Sequence, residues 1–202
     1  MAVPGPVCCP DALTAAIALF GTSADPPTLG HRALLEGLLG RFERVATWAS
    51  DNPLKRHAAP LELRTTLLRA MVAAIDDPGL SVEQGLSSPW AIDTLRRATD
   101  RWPGQELVFV VGSDLAAQIP RWRQADQVLA LCRLALVPRQ GWPLAAADQA
   151  RLQALGARVE VLPLQIPASA SSEIRAHPDA AQVPPELWPV LLQHNLYGLT
   201  PP

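Results

Sequence analysis

Ile17-Ala-Leu-Phe-Gly-Thr-Ser-Ala-Asp-Pro-Pro-Thr-Leu-Gly-His31, followed directly by Arg-Ala-Leu-Leu-Glu-Gly-Leu-Leu, places three signals in direct succession. The apolar run from Ile17 to Phe20 predicts a buried strand. Gly21, Ser23, Asp25 and two prolines predict a tight turn. Leu34, Leu35, Leu38 and Leu39 then recur at helical spacing and share one face. A strand feeding a helix through a short loop aims backbone N–H groups and the positive end of a helix dipole at one point, which suits a phosphate. Thr28 and His31 are three residues apart, so a helix starting here projects both from the same side of its first turn.

The same alternation continues down the chain. Arg44 to Ser50 predicts a second strand, closed by the Asp51-Asn52-Pro53 turn signal, and Pro60 to Ile75 a helix with Leu63, Leu67, Leu68, Met71 and Ile75 in register. Leu80 to Leu86 is weakly strand-like. A helix opens in the segment from Ser88 to Leu95, and Glu106 to Leu115 is the clearest buried strand, closed by Gly112. A helix reaching Leu131 comes next, then an Arg133–Val137 strand, a helix from Ala145 to Leu155 stopped by Gly156, a short strand at Arg158–Leu162, and a helix after Pro167. Strands alternating with helices predict an α/β fold with a mostly parallel sheet of five or six strands. The 202 residues suit a single domain at 15–202, preceded by an irregular, proline-containing lead-in at 1–14.

Composition narrows the function. Apolar residues are 49% and charged residues 18%, a globular balance, and the net charge of −2 argues against a general nucleic-acid binder. Phosphate chemistry must therefore use a local basic cluster. Cys8, Cys9 and Cys132 have no CxxC spacing, which speaks against a disulfide framework or zinc site and suits a reducing compartment. The start lacks a signal peptide, and no apolar run approaches the ~20 residues that cross a bilayer, so the expected location is the cytoplasm, with no membrane partner. GxGxxG and GxxxxGK[ST] are both absent, which disfavours a nicotinamide dehydrogenase and excludes a P-loop.

Candidate site residues follow the strand ends. Leu54-Lys55-Arg56-His57 lies just past a predicted strand, where open α/β sheets bind ligands, although a solvated charge cluster has the same spacing. Gly112 permits close backbone approach. Trp90 and Trp122 are each readable as core or as a stacking surface for a flat ring. Arg139 leaves a strand in a position where a guanidinium fork could clamp phosphate. In Pro167-Ala-Ser-Ala-Ser-Ser-Glu-Ile-Arg175, Ser171 or Ser172 is a favoured N-cap and Arg175 shares the face of Ser172.

These segments resemble a known family. Gly21 to His31 is similar to the (T/H)xGH signature of the nucleotidyltransferase superfamily, and within it to the GGTFDPxHxGH loop of the bacterial nicotinate-nucleotide adenylyltransferases. Thr22 stands for the second glycine and Thr28 for the first histidine. Ser88 to Leu95 resembles the family's Ser-Tyr-Thr-x-Asp-Thr-Leu, Gly112-Ser-Asp114 followed by Trp122 its Gly-x-Asp and Leu-x-x-Trp, and Ala170-Ser-Ser-Glu-Ile-Arg175 its Ser-Ser-Thr-x-Ile-Arg. The likeness runs from about residue 16 to 199 and keeps the family's order.

The resemblance implies a Rossmann-like, doubly wound sheet and adenylyl transfer from ATP to nicotinate mononucleotide, with magnesium accompanying the ATP. It implies His31, Thr28 and Arg175 as catalytic residues. Phe20, Gly21, Ser23, His31, Gly112, Asp114, Ser171, Ser172 and Arg175 would bind ATP; Ser23, Lys55, Trp90, Trp122 and Arg139 would bind the mononucleotide. No protein-held metal is expected. Other acceptors, such as nicotinamide mononucleotide or phosphopantetheine, stay open, as does cytidylyl transfer. Thr22, Ala24 and Ala170 also leave room for a nucleotide-binding regulator without catalysis. Oligomeric state is open, a homo-oligomer included.

Overall fold

A computed structural model describes residues 13–53, 55–138, 144–167 and 170–201. Six strands, β1 (Thr14–Thr22), β2 (Phe42–Ala49), β3 (Leu80–Val82), β4 (Leu107–Gly112), β5 (Arg133–Val137) and β6 (Arg158–Val161), form one sheet in the order β3-β2-β1-β4-β5-β6. Every neighbouring pair is parallel. The chain winds outward from β1 through β2 and β3, then returns to the other side of β1 for β4, β5 and β6. The crevice left at the carboxyl ends of β1 and β4, where the winding reverses, is the place such sheets bind ligands.

Side chains alternate across the sheet with the period of two that a strand imposes. Ala16, Ala18 and Phe20 face one way, with Val45, Val108, Val110 and Val137, and bury Leu34, Leu35 and Leu38 of α1 (Leu29–Leu39) and Leu67 and Met71 of α2 (Leu61–Ile75). The same layer takes in Ile174 of α6 (Ser171–Ala176) and Leu191 of α7 (Trp188–Gln193). Ile17 and Leu19 face the other way with Phe109, Val111, Leu134 and Leu136. They bury Ile92 and Leu95 of α3 (Ala91–Arg101), Val128 and Leu129 of α4 (Ala125–Leu131) and Leu152 of α5 (Ala146–Ala154). Strands buried on both faces read as continuous apolar runs, which is why β1 and β4 are so legible in the sequence.

The predicted elements fall where expected, with three differences. β1 begins at Thr14, inside the stretch read as an irregular lead-in. Leu80 to Leu86 is strand only to Val82 and then a 3₁₀ turn at Gln84–Leu86. The helix ending at Leu131 starts only at Ala125, after a separate 3₁₀ turn at Ile119–Arg121 that carries Pro120. Gly156 closes α5 as read: at φ +84° it occupies the left-handed conformation that ends a helix, and its N–H donates to the Gln153 carbonyl at 2.9 Å.

Candidate active site

A cleft of about 1010 Å³ opens over the carboxyl ends of β1, β4 and β5, large enough for two nucleotides. Phe20, Gly21, Phe109 and Gly112 form its floor, while His31 enters from the first turn of α1, Ser172 from the start of α6 and Arg175 from its last turn. Five basic side chains (Lys55, Arg56, Arg121, Arg123 and Arg175) face it against two carboxylates, Asp114 and Glu173. In a chain of net charge −2 this is a local concentration of positive charge, suited to a polyanion.

The start of α1 fixes the imidazole of His31. Thr28 is the N-cap, with extended backbone at φ −127° and ψ 169°. Its hydroxyl accepts from the His31 N–H at 3.4 Å, while its own N–H donates to His31 Nδ1 at 3.2 Å, a reciprocal capping box with histidine in the place more often held by Glu or Gln. A backbone donor on Nδ1 assigns the neutral ring proton to Nε2. The Thr28 hydroxyl lies 2.8 Å from Nδ1, donating to the neutral ring or accepting a hydrogen bond from Nδ1–H of an imidazolium. Thr28, expected at the phosphates beside His31, is instead fully buried and absent from the cleft wall. It works from beneath, because its N–H and its hydroxyl both meet His31.

The loop between β1 and α1 is held by Asp25, whose side chain is completely buried. Oδ1 accepts from the Ala59 N–H at 3.1 Å and from the Tyr197 hydroxyl at 2.8 Å; Oδ2 accepts from the Ala58 N–H at 2.8 Å. Arg175 Nη1 donates to the Asp25 carbonyl at 2.5 Å and sits 3.5 Å from Oδ2. Ser171 donates its hydroxyl to the Pro26 carbonyl at 2.8 Å. The two turns, one before His31 and one before Arg175, are therefore bonded to each other. Ser171 or Ser172 was expected to cap α6, but the cap is Ala170 without a side-chain bond, and Ser171 reaches across to Pro26.

Thr22 does not spoil this loop. Its hydroxyl accepts the Ala24 N–H at 3.2 Å and so supports the left-handed turn of Ala24, at φ +49°. Ser23 lines the cleft with its Oγ shielded from solvent and without a hydrogen-bond partner among the described residues. At Gly112 a Cβ would lie 2.3 Å from Asp114 Oδ1, so only glycine lets the Asp114 carboxylate fold back over the strand end. Lys55 is exposed on the cleft rim, its segment held by the Lys55 N–H on the Asn52 carbonyl at 3.0 Å. Trp122 is half-buried and meets Phe109 edge-to-face at 6.2 Å, and Phe109 in turn lies 6.4 Å from Trp48, an aromatic wall for a flat ring. Trp90, 39% exposed, is on the cleft rather than in the core. Arg139 lies outside the described residues. Among those described, no group of three or more His, Cys, Asp or Glu side chains is placed to hold a metal ion.

Asp25 and Arg64 behind the cleft, and His57 in its lining, were given no site role from the sequence. Asp25 reads there as a turn former, and Arg64 falls inside a predicted helix with no role of its own. His57 reads as part of a basic triplet. Arg64 is buried and donates to the carbonyls of Ser23 at 2.7 Å, Ser50 at 2.8 Å and Ala59 at 3.0 Å, tying the β1 loop to the end of β2. Burial lowers its proton affinity, which Asp25 and Asp51 oppose. His57 Nδ1 lies 3.7 Å from Asp25 Oδ2; burial, helped by Arg64, pushes this imidazole below its usual range. Burial and the bond to Asp25 push the Tyr197 hydroxyl well above the ordinary tyrosine value. The one sequence signal for this group is an Arg set between Leu63 and Leu67 in a predicted helix.

Fold and cleft together define a nucleotide-binding α/β domain with its site at the switch point of a doubly wound parallel sheet. The cytidylyltransferase-like family model matches residues 19–177. A Synechocystis protein named "Probable nicotinate-nucleotide adenylyltransferase" is 35% identical over 90% of this chain and 98% of its own, and a Chlorobaculum tepidum protein of the same name is 33% identical over 90% and 98%. The structure of Plasmodium falciparum nicotinic acid mononucleotide adenylyltransferase complexed with NaAD superposes with a TM-score of 0.74, covering 93% of this chain and 99% of that one at 16% identity, and so shares the fold. The chain belongs to the nicotinate-nucleotide adenylyltransferases, within the cytidylyltransferase-like family.

Proposed function

We propose that this protein transfers the adenylyl group of ATP to nicotinate mononucleotide, forming deamido-NAD and pyrophosphate in the biosynthesis of NAD. An oxygen of the mononucleotide 5′-phosphate attacks the α-phosphorus of ATP. The new P–O bond joins the two nucleotides, and the bond from the α-phosphorus to the bridging oxygen breaks, sending its electron pair out with pyrophosphate. The nucleophile is already an anion, so no general base is needed. The protein supplies alignment and positive charge where negative charge grows.

His31 donates from Nε2 to a phosphate oxygen at the reacting centre, and Thr28 holds the ring in that tautomer from below. The unpartnered Ser23 hydroxyl and the N–H groups at the start of α1 take a second phosphate oxygen. Arg175 and Ser172 face the ATP polyphosphate, and Lys55 the mononucleotide phosphate. Arg139 is assigned to that phosphate from its place in the sequence alone. Trp122 and Trp90 flank the pyridine ring, and Gly112 and Asp114 the adenosine. Magnesium enters as the counterion of the triphosphate, keeping most of its waters, and the reaction runs in the cytoplasm.

The observation that carries this reading is the bonding of the two turns, Ser171 to Pro26 and Arg175 to Asp25, at the edge of one cationic cleft. The test is pyrophosphate release from ATP in the presence of nicotinate mononucleotide, nicotinamide mononucleotide or phosphopantetheine. Release dependent on a pyridine mononucleotide, the acid above all, supports the reading. Release only with phosphopantetheine, or ligand binding without release, overturns it.

A further inference from the structure

We infer that Arg123 is a specificity-determining residue of the pyridine subsite, selecting a ring that carries a carboxylate over one that carries a carboxamide. The inference rests on the acceptor assignment above and deepens it.

Trp90 and Arg123 come from two separate segments that meet at the cleft. Trp90 is the N-cap of α3; its N–H donates to the Ser88 hydroxyl at 3.2 Å, and its carbonyl accepts from Asp93 and Thr94. Arg123 stands between the 3₁₀ turn at Ile119–Arg121 and α4, next to Trp122, whose N–H closes that turn onto the Ile119 carbonyl at 3.0 Å. The Arg123 guanidinium lies over the Trp90 ring, 5.5 Å from its centroid, and both residues line the cleft. This cation–π contact holds the charge at the cleft, and none of the guanidinium's N–H donors is hydrogen-bonded among the described residues.

Among the described residues Arg123 has no carboxylate partner within salt-bridge distance, whereas Arg32, Arg41, Arg64, Arg133 and Arg175 each have one. A planar fork with an aromatic backing, one residue from Trp122, is built for a planar anion lying beside a flat ring. A carboxylate offers two acceptors and a charge to that fork. A carboxamide offers one acceptor, no charge, and an NH₂ group that meets N–H donors head-on.

The test compares kcat/KM for nicotinate mononucleotide and nicotinamide mononucleotide in wild type, Arg123→Gln, Arg123→Lys and Arg121→Gln. Arg123 is exposed, so folding survives the change. Arg123→Gln lowers the acid-to-amide ratio by about tenfold or more, with the loss concentrated in KM for the acid. Arg123→Lys keeps the charge without the fork and restores part of the ratio. Arg121 provides the same charge two residues away without the contact to the Trp90 indole, so Arg121→Gln moves the ratio by less than Arg123→Gln. An unchanged ratio in Arg123→Gln, or an equal fall in Arg121→Gln, overturns the assignment and leaves only a diffuse positive field. Wild type that turns over neither mononucleotide overturns the acceptor reading itself, a result distinct from an active enzyme with unaltered selectivity.

Discussion

Replacing Asp25 by Asn changes almost no volume and removes one charge from the most connected side chain behind the cleft. The carboxylate presents two acceptor oxygens to five groups: the N–H of Ala58, the N–H of Ala59, the hydroxyl of Tyr197, and the cationic or polar edges of Arg175 and His57. An amide has one acceptor and one donor end. If the NH₂ takes the Oδ1 position, Tyr197 can rotate its hydroxyl and accept, but the Ala59 N–H then faces another donor. If it takes the Oδ2 position, the Ala58 N–H is orphaned, and in either orientation Arg175 loses the one carboxylate paired with it among the described residues. An orphaned buried N–H costs about 1–3 kcal/mol, and removing one partner of a buried ion pair about 3–5 kcal/mol. Because Arg175 keeps some solvent contact, a total near the lower end, about 3–4 kcal/mol, is expected. For a chain of this length that is a fall in melting temperature of about 6–16 °C. Urea titration with matched thermal melts measures it, and Tyr197→Phe, which removes one hydrogen bond, shifts stability by about 1 kcal/mol alongside. Turnover falls as well, since Arg175 and the His31 loop are joined through this residue. An Asp25→Asn protein within about 1 kcal/mol of wild type and with full turnover would refute the reasoning.

Thr28→Val keeps the shape of the side chain but removes the hydroxyl beside His31; stability drops by about 1 kcal/mol and kcat by about tenfold, as measured by denaturant titration and steady-state assay. Gly112→Ala pushes Asp114 off the strand end, so KM for ATP rises at least about tenfold while stability, read by thermal melts, changes by less than about 1 kcal/mol. His57 titrates below its ordinary value of 6.5 when folded, so the unfolded chain takes up a proton that the folded chain refuses, and stability falls as pH drops below that value. Its contribution to the slope stays below the one-proton limit of about 1.4 kcal/mol per pH unit, and His57→Gln removes it in urea titrations between pH 7 and pH 5.

Fold and cleft were not equally legible. β1, β4 and β5 are buried on both faces and so declare themselves as uninterrupted apolar runs, and α1 and α2 keep their leucines at helical spacing. The cleft residues at strand ends and helix starts were accessible for the same reason, since Gly21, His31, Gly112 and Arg175 mark places where an element changes type. What stayed hidden depends on partners far away in the chain. Asp25 bonds Tyr197, 172 residues on, and Arg64 gathers carbonyls from three separate segments, so neither leaves a local pattern. Thr28 was placed on the correct turn, but its direction was misjudged. Three-residue spacing shows that two side chains share a face, and says nothing of which one turns inward to cap the helix.

One measurement is decisive: the fate of label in ATP carrying radioactive phosphorus at the α position, incubated with nicotinate mononucleotide and either wild type or His31→Ala. The label is expected to enter the dinucleotide, with none in pyrophosphate, and His31→Ala to slow this at least about 10²-fold while keeping its fold. Label released as free AMP, or a His31→Ala protein as fast as wild type, would contradict this mechanism.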